Sequence, residues 1–272
     1  MNRAQLIAQI REKETCLIVG LDPDLDRFPT GLSPEPSSIF EFNRQIIDAT
    51  APYCVGYKPN IAFYEQYGPA GMEAWHQTAH YLREKYPNHL RLADVKRGDI
   101  GHTASAYSRS VFEIDDFHAA TVAPYMGRDS VEPFLAHADR WTVLLALTSN
   151  PSADDFEQLP VGKDQLPLFQ QVIRTSQQWK GSERLMYVVG ATRAEELQSV
   201  RKWVPSAFLL IPGIGAQGGD LDAVFRFGAN NDVGLLINSS RGIIYARGDA
   251  NFAQGAMEEA RAMSERMRPY IR

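Results

Sequence analysis

The sequence predicts an α/β fold, a (β/α)8 TIM barrel forming one domain over residues 1–272. Three observations carry that expectation. Eight short apolar runs recur along the chain, most of them rich in Val, Ile and Leu and closing in polar, Gly or Pro residues. Segments of helical periodicity lie between them, and strand alternating with helix implies parallel βα units. The length of 272 residues suits such a barrel as a single domain.

The runs are Cys16–Asp22, Cys54–Lys58, Leu90–Lys96, Ala120–Ala123, Thr142–Thr148, Leu185–Gly190, Ala207–Pro212 and Val233–Asn238. They are too short for buried helices, so strands are the better assignment. Helical spacing covers Ile39–Thr50, Met72–Tyr86, Leu166–Trp179, Ala194–Trp203 and Phe252–Met267. Met1–Glu12 also has helical spacing and lacks the long apolar centre of a secretory segment. Pro29–Pro36 and Asn150–Gly162 read as extended loops at strand ends. An open doubly wound sheet is the competing architecture. Such sheets often carry a Gly-rich turn after the first strand, whereas here Gly20 is followed by Leu21, Asp22 and Pro23.

The formal net charge is −5 and no lysine- or arginine-rich block occurs, which argues against a nucleic-acid partner. A phosphate recognised by this chain is therefore expected on a small molecule. Cys16 and Cys54 lack metal-type spacing and read as reduced, inward-facing thiols of a cytoplasmic protein. No stretch reaches the length of a membrane span.

Chemistry concentrates on the third run. Side chains alternate along a strand, so Leu90, Leu92, Asp94 and Lys96 share one face. Arg91 belongs to the other face, at the start of the strand, where solvent or helix ends could take it. Asp99 follows in the βα loop. Barrels pack their lower interior with apolar side chains and react at the carboxyl ends of their strands. A lone Asp–Lys pair would read as a structural ion pair. Here Asp22 ends the first strand and Lys58 ends the second, in phase with Gly56 and Cys54. Gathering such charges costs several kcal/mol per ion unless each finds a partner, which favours a functional cluster.

Pro212 ends the seventh run and is followed by Gly213, Ile214, Gly215, Ala216, Gln217, Gly218 and Gly219. After the eighth come Ser239, Ser240, Arg241 and Gly242. Barrels often bind phosphate between these two loops, where glycines admit an anion to backbone N–H groups and an arginine supplies a fork. Two tight turns and a surface arginine are the plainer alternative. Ser149, in phase with Leu145 and Leu147, supports two readings equally: a turn cap, or a hydroxyl within reach of a ligand.

Together these segments resemble the orotidine 5′-phosphate decarboxylases, in their longer microbial subgroup. The matching runs are Gly20–Asp22, Lys58–Asn60, Asp94–Thr103, Pro124–Ser130, Thr148–Pro151, Pro212–Asp220 and Ser240–Tyr245, in the expected order. The resemblance implies cofactor-free and metal-free decarboxylation of orotidine 5′-monophosphate to uridine 5′-monophosphate. It implies catalytic roles for Lys96, Asp94, Asp99 and Lys58, with Lys96 protonating C6. Asp22 and Lys58 would hold ribose hydroxyls, Ser149 the pyrimidine amide edge, and Gln217 and Arg241 the phosphate. Ile100, Thr103, Pro212 and Ser240 complete the implied substrate-binding set. It further implies a homodimer in which Asp99, Ile100 and Thr103 enter the partner subunit's site.

The chemistry suits these residue types. Loss of carbon dioxide leaves a carbanion, and a fixed ammonium both stabilises and protonates it, while flanking carboxylates keep that ammonium charged. The nearest rival is a magnesium-dependent sugar-phosphate decarboxylase or aldolase on a similar barrel, which needs a carboxylate where Lys58 stands. A non-catalytic nucleotide-binding barrel is the other alternative. His76 and His80 have i,i+4 spacing and read as a surface pair, and His102 is given no role.

Overall fold

A computed structural model describes residues 1–191, 194–214 and 220–271. Eight strands form a closed barrel: β1 (Leu17–Leu21), β2 (Gly56–Pro59), β3 (Leu90–Arg97), β4 (Ala119–Val122), β5 (Trp141–Leu147), β6 (Leu185–Val189), β7 (Leu209–Pro212) and β8 (Leu235–Ser239). Each neighbours the next in chain order and β8 returns to β1, so the open-sheet alternative is set aside. Helix α1 (Arg3–Lys13) precedes β1. The strands are followed in turn by α2 (Ile39–Thr50), α3 (Gly68–Lys85), α4 (Gly101–Arg109), α5 (Arg128–Leu135), α6 (Leu168–Ser176), α7 (Glu196–Trp203), α8 (Leu221–Gly228) and α9 (Phe252–Ile271). Among the described residues, no helix is long and apolar enough to cross a membrane.

The strands read as nearly unbroken apolar runs because parallel strands under helices are covered on both faces. All five residues of β1 and all five of β6 are buried. The helices follow the complementary rule. In α2 the buried residues Ile39, Phe42, Asn43, Ile46, Ile47 and Thr50 recur at three- and four-residue steps, giving one inward stripe. At the start of α1, the Asn2 side chain accepts from Gln5 N–H while the Gln5 side chain accepts from Asn2 N–H, which stops the helix from fraying.

The chain divides into two compact units. The first comprises Met1–Val95, Ser110–Ala119 and Asn238–Arg272. Its aromatic core stacks Phe42 against Phe28, Tyr245 and Phe252, with ring centroids 4.9, 5.7 and 5.3 Å apart. The second comprises Lys96–Arg109 and Ala120–Ile237. There Trp141 meets Phe208 edge to face, and the buried Tyr187 hydroxyl is satisfied by Ser176 and Gln177.

Several boundaries differ from expectation. Leu166–Pro167 pairs antiparallel with Pro160–Val161, so the helix expected from Leu166 begins at Leu168. The loop before it contains a 3-10 turn at Pro151–Asp155. Of the two settings expected for Arg91, solvent is set aside: it is buried, and just past the helical turn Ser110–Ile114 its guanidinium donates to the backbone oxygen of Asp116 at 2.9 Å and to Asp116 Oδ2 at 2.8 Å. Cys16 and Cys54 are buried thiols, as expected, and burial pushes the Cys54 thiol up to about 11.

Candidate active site

In the first unit, parallel pairing sets β1 beside β2 with Gly20 opposite Lys58. Lys58 Nζ donates to Asp94 Oδ2 at 2.8 Å, and both residues are buried, at 5% and 7% exposure. Burial by itself would lower the Lys58 ammonium. The carboxylates of Asp94 and Asp22 outweigh it, and the group titrates above its ordinary range. Asp22 lies just past β1, and its Oδ1 is buried without a hydrogen-bond partner. A carboxylate oxygen left in that state is costly unless a ligand completes it.

The turn after β8 seats against β1 at a glycine. A Cβ on Gly20 would overlap Ser240 Oγ, so a larger residue there would displace Ser240. Ser240 leads directly into the short helix Arg241–Ile244, where Arg241 is exposed. Gly20, Asp22, Lys58, Asp94, Ser240 and Arg241 are thus gathered within one compact unit.

The second unit begins with Lys96. Residues Leu90 to Val95 are buried, whereas Lys96 is exposed and has φ 43°, in the left-handed region. A left-handed lysine costs about 1–2 kcal/mol and persists only where surrounding structure dictates it. Part of that constraint is visible: Lys96 N–H donates to Oγ1 of the buried Thr121 at 2.9 Å. Lys96 therefore sits two residues beyond Asp94, where the chain leaves its strand geometry. Asp99 Oδ1 accepts from Ile100 N–H at 2.7 Å, and Ile100, at 49% exposure, and Thr103 face outward at the start of α4.

Ser149, half-buried after β5, is confined from two sides. A Cβ on Gly190 would meet Ser149 Cα and Cβ at 2.8 Å. The Glu157 carboxylate accepts from Thr148 N–H at 2.7 Å and from the Thr148 hydroxyl at 3.0 Å, holding the preceding residue. Pro212 ends β7 and is followed by Gly213 at φ 96°. Gln217 lies outside the described residues.

Sequence reasoning did not find Thr121, Glu157, Gly190 or Tyr245. Each acts on a residue remote in the chain or through backbone atoms, and no spacing rule announces that. His76 and His80 are both exposed, as the surface-pair reading expects, and each has a partner. His76 Nδ1 lies 2.6 Å from Oδ1 of the buried Asp115, whose other oxygen accepts from Trp75 Nε1 at 2.8 Å. His80 Nδ1 lies 2.7 Å from an Arg83 guanidinium nitrogen, which fixes it as an acceptor.

Comparison with known proteins places this geometry. The model of the orotidine 5′-phosphate decarboxylase / HUMPS family matches residues 15–256. An orotidine 5′-phosphate decarboxylase of Christiangramia forsetii is 53% identical over 267 residues, covering 98% of this chain and 97% of its own. That of Flavobacterium johnsoniae is 51% identical over 271 residues, covering 100% and 98%. The solved OMP decarboxylase of Leishmania donovani is 33% identical with a TM-score of 0.81, covering 97% of this chain and 100% of its own. A closed parallel barrel, charged side chains at its strand ends and full-length likeness at about half identity agree, and the chain belongs to the orotidine 5′-phosphate decarboxylase / HUMPS family.

Proposed function

We propose that this protein decarboxylates orotidine 5′-monophosphate to uridine 5′-monophosphate and carbon dioxide, the last step of UMP synthesis, without metal or cofactor. The relatives that match it over their whole length carry that activity in their names. The observation that carries the reading is the buried Lys58–Asp94 pair on β2 and β3, with Lys96 two residues further along the same strand. A metal-dependent branch would require a carboxylate at the Lys58 position, and a buried ammonium there repels a cation instead.

The C6–carboxylate bond breaks and its electron pair stays on C6. The Lys96 ammonium stabilises that charge and delivers a proton to C6, and water later reprotonates the amine. Asp94, held in place by Lys58, and the partner subunit's Asp99 supply the carboxylates of the site. Asp22 takes a ribose hydroxyl, which fits its unsatisfied buried oxygen. Ser149 and Pro212 border the pyrimidine, and Arg241, Ser240 and Gln217 grip the phosphate.

The working unit is a homodimer, with Asp99, Ile100 and Thr103 completing the partner subunit's site. An exposed Ile100 supports this, as does a groove of about 570 Å³ lined by Ile100, His102, Ser105, Glu132 and Pro133. Catalysis takes place in the cytoplasm.

The test follows the loss of substrate absorbance with purified protein in a chelator. Full activity is expected under those conditions, and Lys96→Ala should lose essentially all turnover while still binding UMP. Activity that requires added magnesium, or near-normal decarboxylation by Lys96→Ala, would overturn the reading.

A further inference from the structure

The segment that follows β1 carries Asp22, and three phenol hydroxyls hold the backbone from Leu21 to Leu25. Tyr64 donates to the backbone oxygen of Leu21 at 3.1 Å, and Tyr67 accepts from Leu25 N–H at 3.1 Å. Tyr245 lies at the centre. Its hydroxyl accepts from Asp24 N–H at 2.6 Å and faces the backbone oxygens of Asp22 at 3.3 Å and Asp24 at 3.4 Å. The ring stacks on Phe42, and the Arg27 guanidinium covers it at 4.3 Å. Burial raises the phenol well above its ordinary range, so it stays protonated and keeps both donor and acceptor roles.

The same residue is tied to the other end of the nucleotide. Tyr245 caps the short helix Arg241–Ile244, and its N–H donates to the backbone oxygen of Arg241 at 3.3 Å. A second bond stitches the two segments further along, from Thr30 N–H to the backbone oxygen of Gly248 at 2.9 Å. Asp22 and Arg241 are 219 residues apart in sequence (241 − 22), yet one residue fastens the backbone of both, the first through its hydroxyl and the second through its N–H.

We infer that Tyr245 is a positioning residue that locks the ribose-binding carboxylate of Asp22 to the phosphate-binding turn of Arg241. The inference rests on the proposed decarboxylase reading and deepens it. Such a lock lets binding at the phosphate hold the ribose carboxylate in its working place, so remote binding energy is realised at the reacting ring.

A double-mutant cycle with orotidine 5′-monophosphate tests it, using wild type, Asp22→Asn, Tyr245→Phe and the double variant. Phenylalanine keeps the stacking and removes only the hydroxyl, and thermal melting checks that each variant is folded. Tyr245→Phe is expected to lower kcat/KM about tenfold. Asp22→Asn should then cost several-fold less in the Tyr245→Phe background than in wild type, because the carboxylate it removes is already misplaced. UMP should bind more weakly to Tyr245→Phe by a similar factor. Independent, multiplicative losses would overturn the lock while leaving the decarboxylase reading intact. An inactive wild type would remove the reading itself and the inference with it, whereas full activity in Asp22→Asn would overturn the inference and leave the reading standing.

Discussion

Lys58 and Asp94 form the most consequential ion pair in the first unit, because neither has water to fall back on. Removing one member of a buried pair leaves the other charge uncompensated, at a cost of about 3–5 kcal/mol, whereas replacing both by apolar groups is often nearly neutral. Asp94→Asn should therefore lower the free energy of unfolding in urea by about that amount. Lys58→Met combined with Asp94→Leu should recover most of the loss and still be inactive. Equal destabilisation by the single and double variants would show that the pair stabilises the fold beyond what apolar packing supplies. Lys96 is the contrasting case: its exposed side chain and left-handed backbone are not features of a packing residue, which supports the proposed catalytic role.

Among the elements, α1 depends on a buried polar contact that is sensitive to acid. Lys13 Nζ donates to the backbone oxygens of Ala51 at 2.6 Å and Cys54 at 2.9 Å, and lies 2.8 Å from His89 Nε2. Burial, reinforced by the Lys13 charge, lowers His89 from 6.5 to about 4. The unfolded chain thus binds a proton at a pH where the folded chain does not. Stability from this group is complete above about pH 6.5 and is lost as the pH falls towards 4, by about 3 kcal/mol in all. Urea midpoints measured from pH 7 to 4 should fall along this window, and His89→Gln should flatten the slope. An unchanged slope in that variant would assign the acid sensitivity to other groups.

For the whole molecule, the prediction concerns how subunits share work. If Asp99 completes the partner's site, Lys96→Ala and Asp99→Ala are each inactive as homodimers for different reasons. Mixed and re-equilibrated, half of the dimers carry one subunit of each kind, and each such dimer has one intact site. Activity should return to about a quarter of wild type, by that counting for a two-fold dimer with shared sites. Failure to recover activity while subunits demonstrably exchange would place Asp99 in its own subunit's site.

Much of this architecture was legible in the chain. Each of the eight predicted runs contains or overlaps a barrel strand, and Ile39–Thr50 is a helix with the bounds its periodicity implied. Burial on both faces imposes apolar runs on strands, and one-sided burial imposes a stripe on helices, so both patterns are written locally. Position at strand ends likewise marked Asp22, Lys58, Asp94 and Lys96. What sequence could not determine depends on contacts between distant segments. The left-handed backbone of Lys96 beside Thr121, the burial of Arg91 against Asp116, the confinement of Ser149 by Gly190 and the fastening of Asp22 by Tyr245 belong to that class. Periodicity reports which face of an element is buried, but not which remote hydroxyl or glycine meets it, and only the closed barrel decides that.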